Sequence, residues 1–314
     1  MTIILMKKTT VLRVGYLLLT LLLVSAAIED LTVAEAFAQS SFLPIPVFVS
    51  IGAHLDFCQQ IGGRRVAVKL ALPPGKSPET YSPTPQQINN LSRARLYFKV
   101  GLPFESAFLK KLRTLPRSPE IVDTQTGIKL QPMPGELYDQ THNRHPQRHE
   151  GLDPHTWLDP ELARHQAKTI YQTLCRIDPK GKNIYTSNYS LLELKLNVLD
   201  DELKKSFAPF HGRTIFVYHP AFNYFARAFG LKQRAIEMGG KTPKARELTA
   251  FIKRARAENI AALFVQPQFD RQSAEKIAGA LNCAVVAIDP LAVNYCANLK
   301  HIATTIQAHI KVEK

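Results

Sequence analysis

Cysteine is scarce in this chain and wrongly spaced for the commonest cysteine chemistry. Cys58, Cys175, Cys283 and Cys296 are the only ones in 314 residues, and no two form a Cys-x-x-Cys pair. That pattern excludes a zinc knuckle and a thioredoxin-type dithiol. His-Glu-x-x-His and Gly-x-Ser-x-Gly are also missing, so the usual marks of a metalloprotease or a serine hydrolase are not there. The net charge of +14 comes from scattered lysines and arginines, with small pairs such as Lys110-Lys111 and Lys204-Lys205. Without a basic-aromatic ribbon or zinc-finger spacing, this balance predicts a solvated positive surface and no nucleic-acid partner. Beyond the N-terminus no long apolar run occurs, which excludes a bundle of membrane spans.

The N-terminus is where apolar residues concentrate. Lys7, Lys8 and Arg13 precede the run from Val14 to Ala27, and small residues follow at Ser25-Ala26-Ala27 and at Ala36-Phe37-Ala38. Charged, then apolar, then small is the order of a secretory signal peptide, assigned to residues 1–38, with cleavage after Ala26 as the alternative. An uncleaved anchor would need a longer run. No cysteine precedes Cys58, so a lipid-anchored start is not expected, and the mature chain is read as periplasmic. In an oxidising compartment Cys283 and Cys296 could close a short loop as a disulfide. Cys58 and Cys175 fall in apolar helical patterns and read as buried thiols.

The mature chain is long enough for two cores. From Pro46 to Val122, short β-branched and aromatic runs alternate with amphipathic stretches, the pattern of a parallel sheet covered on both faces. The same alternation returns from Thr214 to Ile288. Between the two, Asn183 to about Phe207 reads as one long helix, with Leu191, Leu192, Leu194, Leu196, Val198, Leu199 and Leu203 as a broad apolar face. The expected organisation is an α/β lobe over 39–178, a spine helix over 179–208 and a second α/β lobe over 209–314.

Several polar residues fall where such sheets bind ligands, just beyond the carboxyl ends of strands. His219 and Asp289 each follow a buried strand and precede a proline, and Glu79 lies a few residues past the strand Val66 to Leu72. His155 sits between Asp153-Pro154 and Asp159-Pro160, two turns that stop regular structure and pin the segment between them. Glu79, His155, His219 and Asp289 form the candidate ligand set. Two imidazoles and two carboxylates suit a borderline divalent ion. Taken singly, His219 and Asp289 could equally be residues that cap a turn before proline, and His155 a structural histidine. The aperiodic stretch 127–151 holds His142, His145 and His149, which could collect cations transiently or simply decorate a polar loop.

The segments Gly75 to Pro85, Asp153 to Pro160, Val217 to Pro220 and Ala287 to Pro290 resemble the four ligand motifs of the periplasmic metal-binding proteins that feed zinc and manganese ABC transporters, the cluster A-I solute-binding proteins. The resemblance runs from about Val47 to the C-terminus and includes Gly101-Leu102-Pro103-Phe104-Glu105. It implies two α/β lobes joined by a rigid helix with metal between them. It also implies a monomer that hands its ion to an inner-membrane ABC permease with a cytoplasmic ATPase, and no enzyme activity. In Pro78-Glu79-Thr80-Tyr81-Ser82-Pro83 this chain carries Glu79 where the family usually has histidine. Zn2+ is the expected ion, argued from His219 and the histidine-containing loop. Mn2+ (or iron) is the alternative within the class, and a metal-binding adhesin or a metal-dependent hydrolase lies outside it.

Overall fold

A computed structural model of the chain describes residues 43–133, 151–237 and 245–310. The first lobe comprises β1 (Ile45–Val49), α1 (Gly52–Gly62), β2 (Val66–Leu70), α2 (Pro85–Ser92), β3 (Leu96–Lys99), α3 (Pro103–Arg113) and β4 (Glu120–Asp123). Its four strands are all parallel, in the order β2-β1-β3-β4. Local chemistry sets several boundaries. Thr84 and Gln87 form a reciprocal capping box ahead of α2, with Pro85 in the first turn. Glu105 in α3 turns back and accepts from the backbone N–H groups of Val100 (2.9 Å) and Gly101 (2.7 Å), closing the Gly101-Leu102-Pro103-Phe104-Glu105 corner.

Two long helices follow, α4 (Pro160–Ile177) and α5 (Lys182–Phe207). With 26 residues, α5 spans about 39 Å. Its buried face is Tyr185, Tyr189, Leu192, Leu196, Leu199, Leu203 and Phe207, spaced three or four apart. This face is narrower than the sequence suggests, because Leu191 and Leu194 are each 60% exposed and Val198 is 46% exposed. They lie on the opposite side of the helix, where a 3.6-residue period must put them.

The second lobe repeats the first with β5 (Thr214–Val217), α6 (Asn223–Ala228), β6 (Lys232–Ala235), α7 (Ala245–Ala257), β7 (Ala262–Val265), α8 (Arg271–Leu281) and β8 (Ala284–Ala287). Its parallel order, β6-β5-β7-β8, is that of the first sheet. Successive residues feed opposite cores. Ile215, Val217, Ala262 and Phe264 join the main core, which runs through the first lobe and α5. Phe216, Tyr218, Leu263 and Val265 join a smaller core with Phe251, Ala274 and Ile277. A period of two on a sheet covered on both faces produces this division. β6 ends at Ala235, which leaves Glu237 beyond the strand end.

A final helix, α9 (Tyr295–His309), has no counterpart in the sequence reading. Its buried residues Tyr295, Leu299, Ile302, Ala303 and Ile306 carry the 4-3-1-3 spacing of a helix face, which is the cue that could have found it. It returns to the first lobe. The Tyr295 N–H donates to Asp56 (3.1 Å), the Tyr295 ring meets Phe57 edge-on, and Gln307 donates to Ser206. The turn before it presses so closely on α1 that a Cβ on Gly52 would lie 2.3 Å from the Leu291 carbonyl oxygen.

The expected Cys283–Cys296 disulfide is corrected here: both are free thiols. Cys283 packs in the small core at the entry to β8, whereas Cys296 packs against the main core in the first turn of α9. The two thiols thus face different cores. Among the described residues no helix is long and apolar enough to cross a membrane.

Buried in α1, His54 is held neutral. Burial lowers its pKa from 6.5 to about 4, against the opposing hydrogen bond to Gln166 and the charge of Asp123. Between those values the unfolded chain binds a proton that the folded chain refuses. Stability from this group is therefore complete above pH 6.5 and is lost as pH falls toward 4. Urea unfolding of metal-free protein should lose about 2 kcal/mol from this group between pH 7.5 and pH 5. His54→Gln should flatten that part of the profile, and an equally steep profile in the variant would refute the assignment.

Candidate metal centre

The site forms where strand ends of both lobes meet. Glu79 lies in the loop between β2 and α2, His155 just before the short turn Thr156–Leu158, and His219 directly past β5. One ligand atom from each of these three lies within 4.8 Å of the other two. Their side chains are nearly covered, at 6% exposure for Glu79 and 3% for each histidine.

Each imidazole is fixed by a carboxylate behind it. His155 donates from Nδ1 to Asp153 Oδ1 at 2.7 Å, and the same oxygen accepts the His155 backbone N–H at 3.0 Å. His219 donates from Nδ1 to Glu237 Oε2 at 2.5 Å. A carboxylate can only accept, so both rings are held with Nδ1 protonated and the Nε2 lone pair turned away from the carboxylate. This arrangement orients a ligating imidazole. Nε2 of His219 is buried with no hydrogen-bond partner and lies 3.7 Å from Glu79 Oε1. A buried, unpartnered nitrogen is costly unless something binds it. Tetrahedral coordination with bonds of about 2 Å places ligand atoms about 3.3 Å apart, so closing on an ion requires only small movements.

The supports reach further into the fold. Gln125 donates to the Pro154 carbonyl (2.8 Å) and to Thr156 Oγ1 (2.9 Å), and Gln166 donates to the same hydroxyl (2.6 Å). Asp153 is anchored by its N–H to Gln131 and by Tyr224, whose hydroxyl donates to its carbonyl. Trp157 Nε1 donates across the lobes to the Pro290 carbonyl at 2.8 Å. Past β7, Gln266 grips the His219 backbone from both sides, accepting its N–H (3.2 Å) and donating to its carbonyl (2.8 Å). Phe269 stacks on the His219 ring, with centroids 4.6 Å apart. The Glu79 loop is tied down by the Phe104 N–H, which donates to the Pro78 carbonyl (3.2 Å).

Of the four residues expected to ligate, the structure brings Glu79, His155 and His219 together. Asp289 stands apart from that group: its Oδ1 accepts from Gln268 Nε2 (2.8 Å) and from the Leu291 N–H (2.9 Å). His142, His145 and His149 lie outside the described residues. Glu237, past the end of β6, escapes the sequence reading, in which Asp153 is only a turn former. The loop Gln266–Phe269 carries no motif that could have marked it.

Known proteins share this two-lobed fold. The profile of the family described as "Zinc-uptake complex component A periplasmic" matches residues 47–309. A crystal structure of ZnuA superposes with a TM-score of 0.76 at 34% identity, covering 85% of this chain and 99% of that one. The manganese ABC transporter substrate-binding lipoprotein PsaA of Streptococcus pneumoniae is 26% identical over 257 residues, covering 80% of this chain and 81% of that protein. The zinc-binding protein TroA of Treponema pallidum is 24% identical over 242 residues, covering 75% and 74%.

Removing the charge behind an imidazole should loosen an ion held in front of it. Glu237→Gln and Asp153→Asn are each expected to weaken Zn2+ affinity by roughly 10- to 100-fold in competition with a chelating dye. Unchanged affinity in both would mean that these carboxylates do not serve the site.

Proposed function

The chain belongs to the periplasmic zinc-uptake component A family, and on that footing we propose that Glu79, His155 and His219 capture its divalent ion for delivery to a membrane permease. The observation that carries this reading is His219 Nε2, buried, unpartnered and 3.7 Å from Glu79 Oε1. Proteins of this family are the substrate-binding components of zinc and manganese ABC importers, and metal capture for import is the function of this chain.

Zn2+ is the ion best suited to two neutral imidazoles and one carboxylate. Mn2+ is the second reading, favoured by Glu79 itself, since an oxygen ligand in place of a third imidazole moves the set toward harder cations. We assign the site to carriage and not to catalysis. Asp153 and Glu237 are both committed to imidazole Nδ1 atoms, so neither is placed as a general base for an ion-bound water. The partner in this reading is an inner-membrane permease with its ATPase. The compartment is the periplasm, reached by export through the N-terminal segment, which lies outside the described residues.

The protein purified without added metal should carry one zinc per chain. His219→Ala should weaken Zn2+ binding by about 100-fold or more, as expected when an ion loses a buried ligand. Preferential retention of manganese from an equimolar mixture would assign the second reading. Full-strength binding of both ions by His219→Ala would remove the site from these residues.

A further inference from the structure

The lysines and arginines that look scattered along the sequence are gathered by the fold. In the first lobe all four strands run the same way, so the chain enters every strand at one end of the sheet and leaves at the other, where Glu79 follows β2. Each return to the entry end brings arginines: Arg64 and Arg65 ahead of β2, Arg93 and Arg95 ahead of β3, and Arg113 and Arg117 ahead of β4. All of them except Arg65 are exposed. The turn between α4 and α5 arrives at the same place, because Arg65 pairs with Asp178 (2.7 Å) and Arg176 pairs with Glu120. That turn adds Lys180 and Lys182, both exposed. The two carboxylates at this end are thereby matched, and the segments 59–66, 86–96, 110–120 and 174–183 hold no other acidic residue. Arg64, Arg93, Arg95, Arg113 and Arg117 make no ion pair among the described residues.

We infer that this basic end of the first lobe is a docking face for a bilayer that contains anionic phospholipid. Two features favour lipid over another polyanion. The four segments contain no Phe, Tyr or Trp, so the face offers no ring on which a nucleic-acid base could stack. Ile184, 48% exposed, stands in the first turn of α5 beside Lys182. An exposed aliphatic side chain among cations is the combination that seats a protein at a lipid interface, the charges on the headgroups and the apolar group just below them. Each lysine or arginine held near an anionic bilayer strengthens binding about 5-fold, and the attraction fades within a Debye length. The docking face and Glu79 lie at opposite ends of the same sheet, so docking leaves the candidate metal centre uncovered. The inference therefore stands apart from the Glu79–His155–His219 reading. Where that reading holds, surface attraction also concentrates the carrier at the membrane that holds its permease.

The test is co-sedimentation of the mature chain, residues 39–314, with vesicles of phosphatidylcholine alone or of phosphatidylcholine mixed with phosphatidylglycerol. Binding is expected only with the anionic lipid, and is expected to collapse between about 0.05 M and about 0.5 M salt. Arg93→Gln/Arg95→Gln and Arg113→Gln/Arg117→Gln change exposed positions, and each pair should lose about 25-fold. Unchanged thermal unfolding in both would show that the loss is not one of folding. Ile184→Ser should weaken vesicle binding about 3-fold or more and leave binding to heparin, a soluble polyanion, as it was. Three results overturn the inference: no binding to the anionic vesicles at low salt, equal binding to the neutral ones, or full-strength binding by both arginine variants. Tighter binding to heparin than to the anionic vesicles, with Ile184→Ser unchanged on both, also overturns it and assigns the face to a soluble polyanion.

Discussion

Two hydrogen bonds, from Nδ1 of His155 to Asp153 and from Nδ1 of His219 to Glu237, organise the centre of this protein. They fix which ring nitrogen is protonated and which faces the cluster, and they place buried carboxylates where a cation's field is felt. Much of the nearby structure serves these bonds. Gln125 and Gln166 hold the turn that carries His155, Tyr224 and Gln131 hold Asp153, and Gln266 and Phe269 hold His219. An ion bound at the proposed site would be met by preoriented donors, with little ordering left to be done.

The proposed ligands come from both lobes, so the relative placement of the lobes must be as well defined as either site half. Three features fix it. α5 runs behind both lobes, with Tyr185 and Leu192 in the shared core near the first and Phe207 against Phe225 and Phe229 of the second. Trp157 reaches the Pro290 carbonyl across the divide, and α9 brings Tyr295 onto Asp56 and Phe57. These contacts combine apolar packing with hydrogen bonds between the lobes, which favours small adjustments of loops over wide opening of the lobes.

Much of this was legible in the sequence because it depends on local periodicity. Alternating strands and helices gave both sheets, two Asp-Pro turns marked His155, and His219 and Glu79 followed from their places past strand ends. What escaped depends on tertiary placement. Glu237 matters because a chain segment 18 residues from His219 returns beside it, and no local pattern encodes that return. Gln268 and Phe269 sit in a polar loop whose importance comes from what it touches. Leu191, Leu194 and Val198 look like core in the sequence, yet the face of α5 that packs is set by the neighbouring helices.

The return of α9 to the first lobe also bears on how the chain is made. Asp56 and Tyr295 are 239 positions apart, so the apolar surface around Phe57 waits for nearly the whole polypeptide before it is covered. Contacts this distant are slow to close and leave sticky intermediates exposed meanwhile. A fragment ending before Tyr295 would contain every residue of the metal cluster and still present that uncovered surface to chaperones and proteases. Helix α9 thus covers a surface that the candidate site residues, all earlier in the chain, leave open.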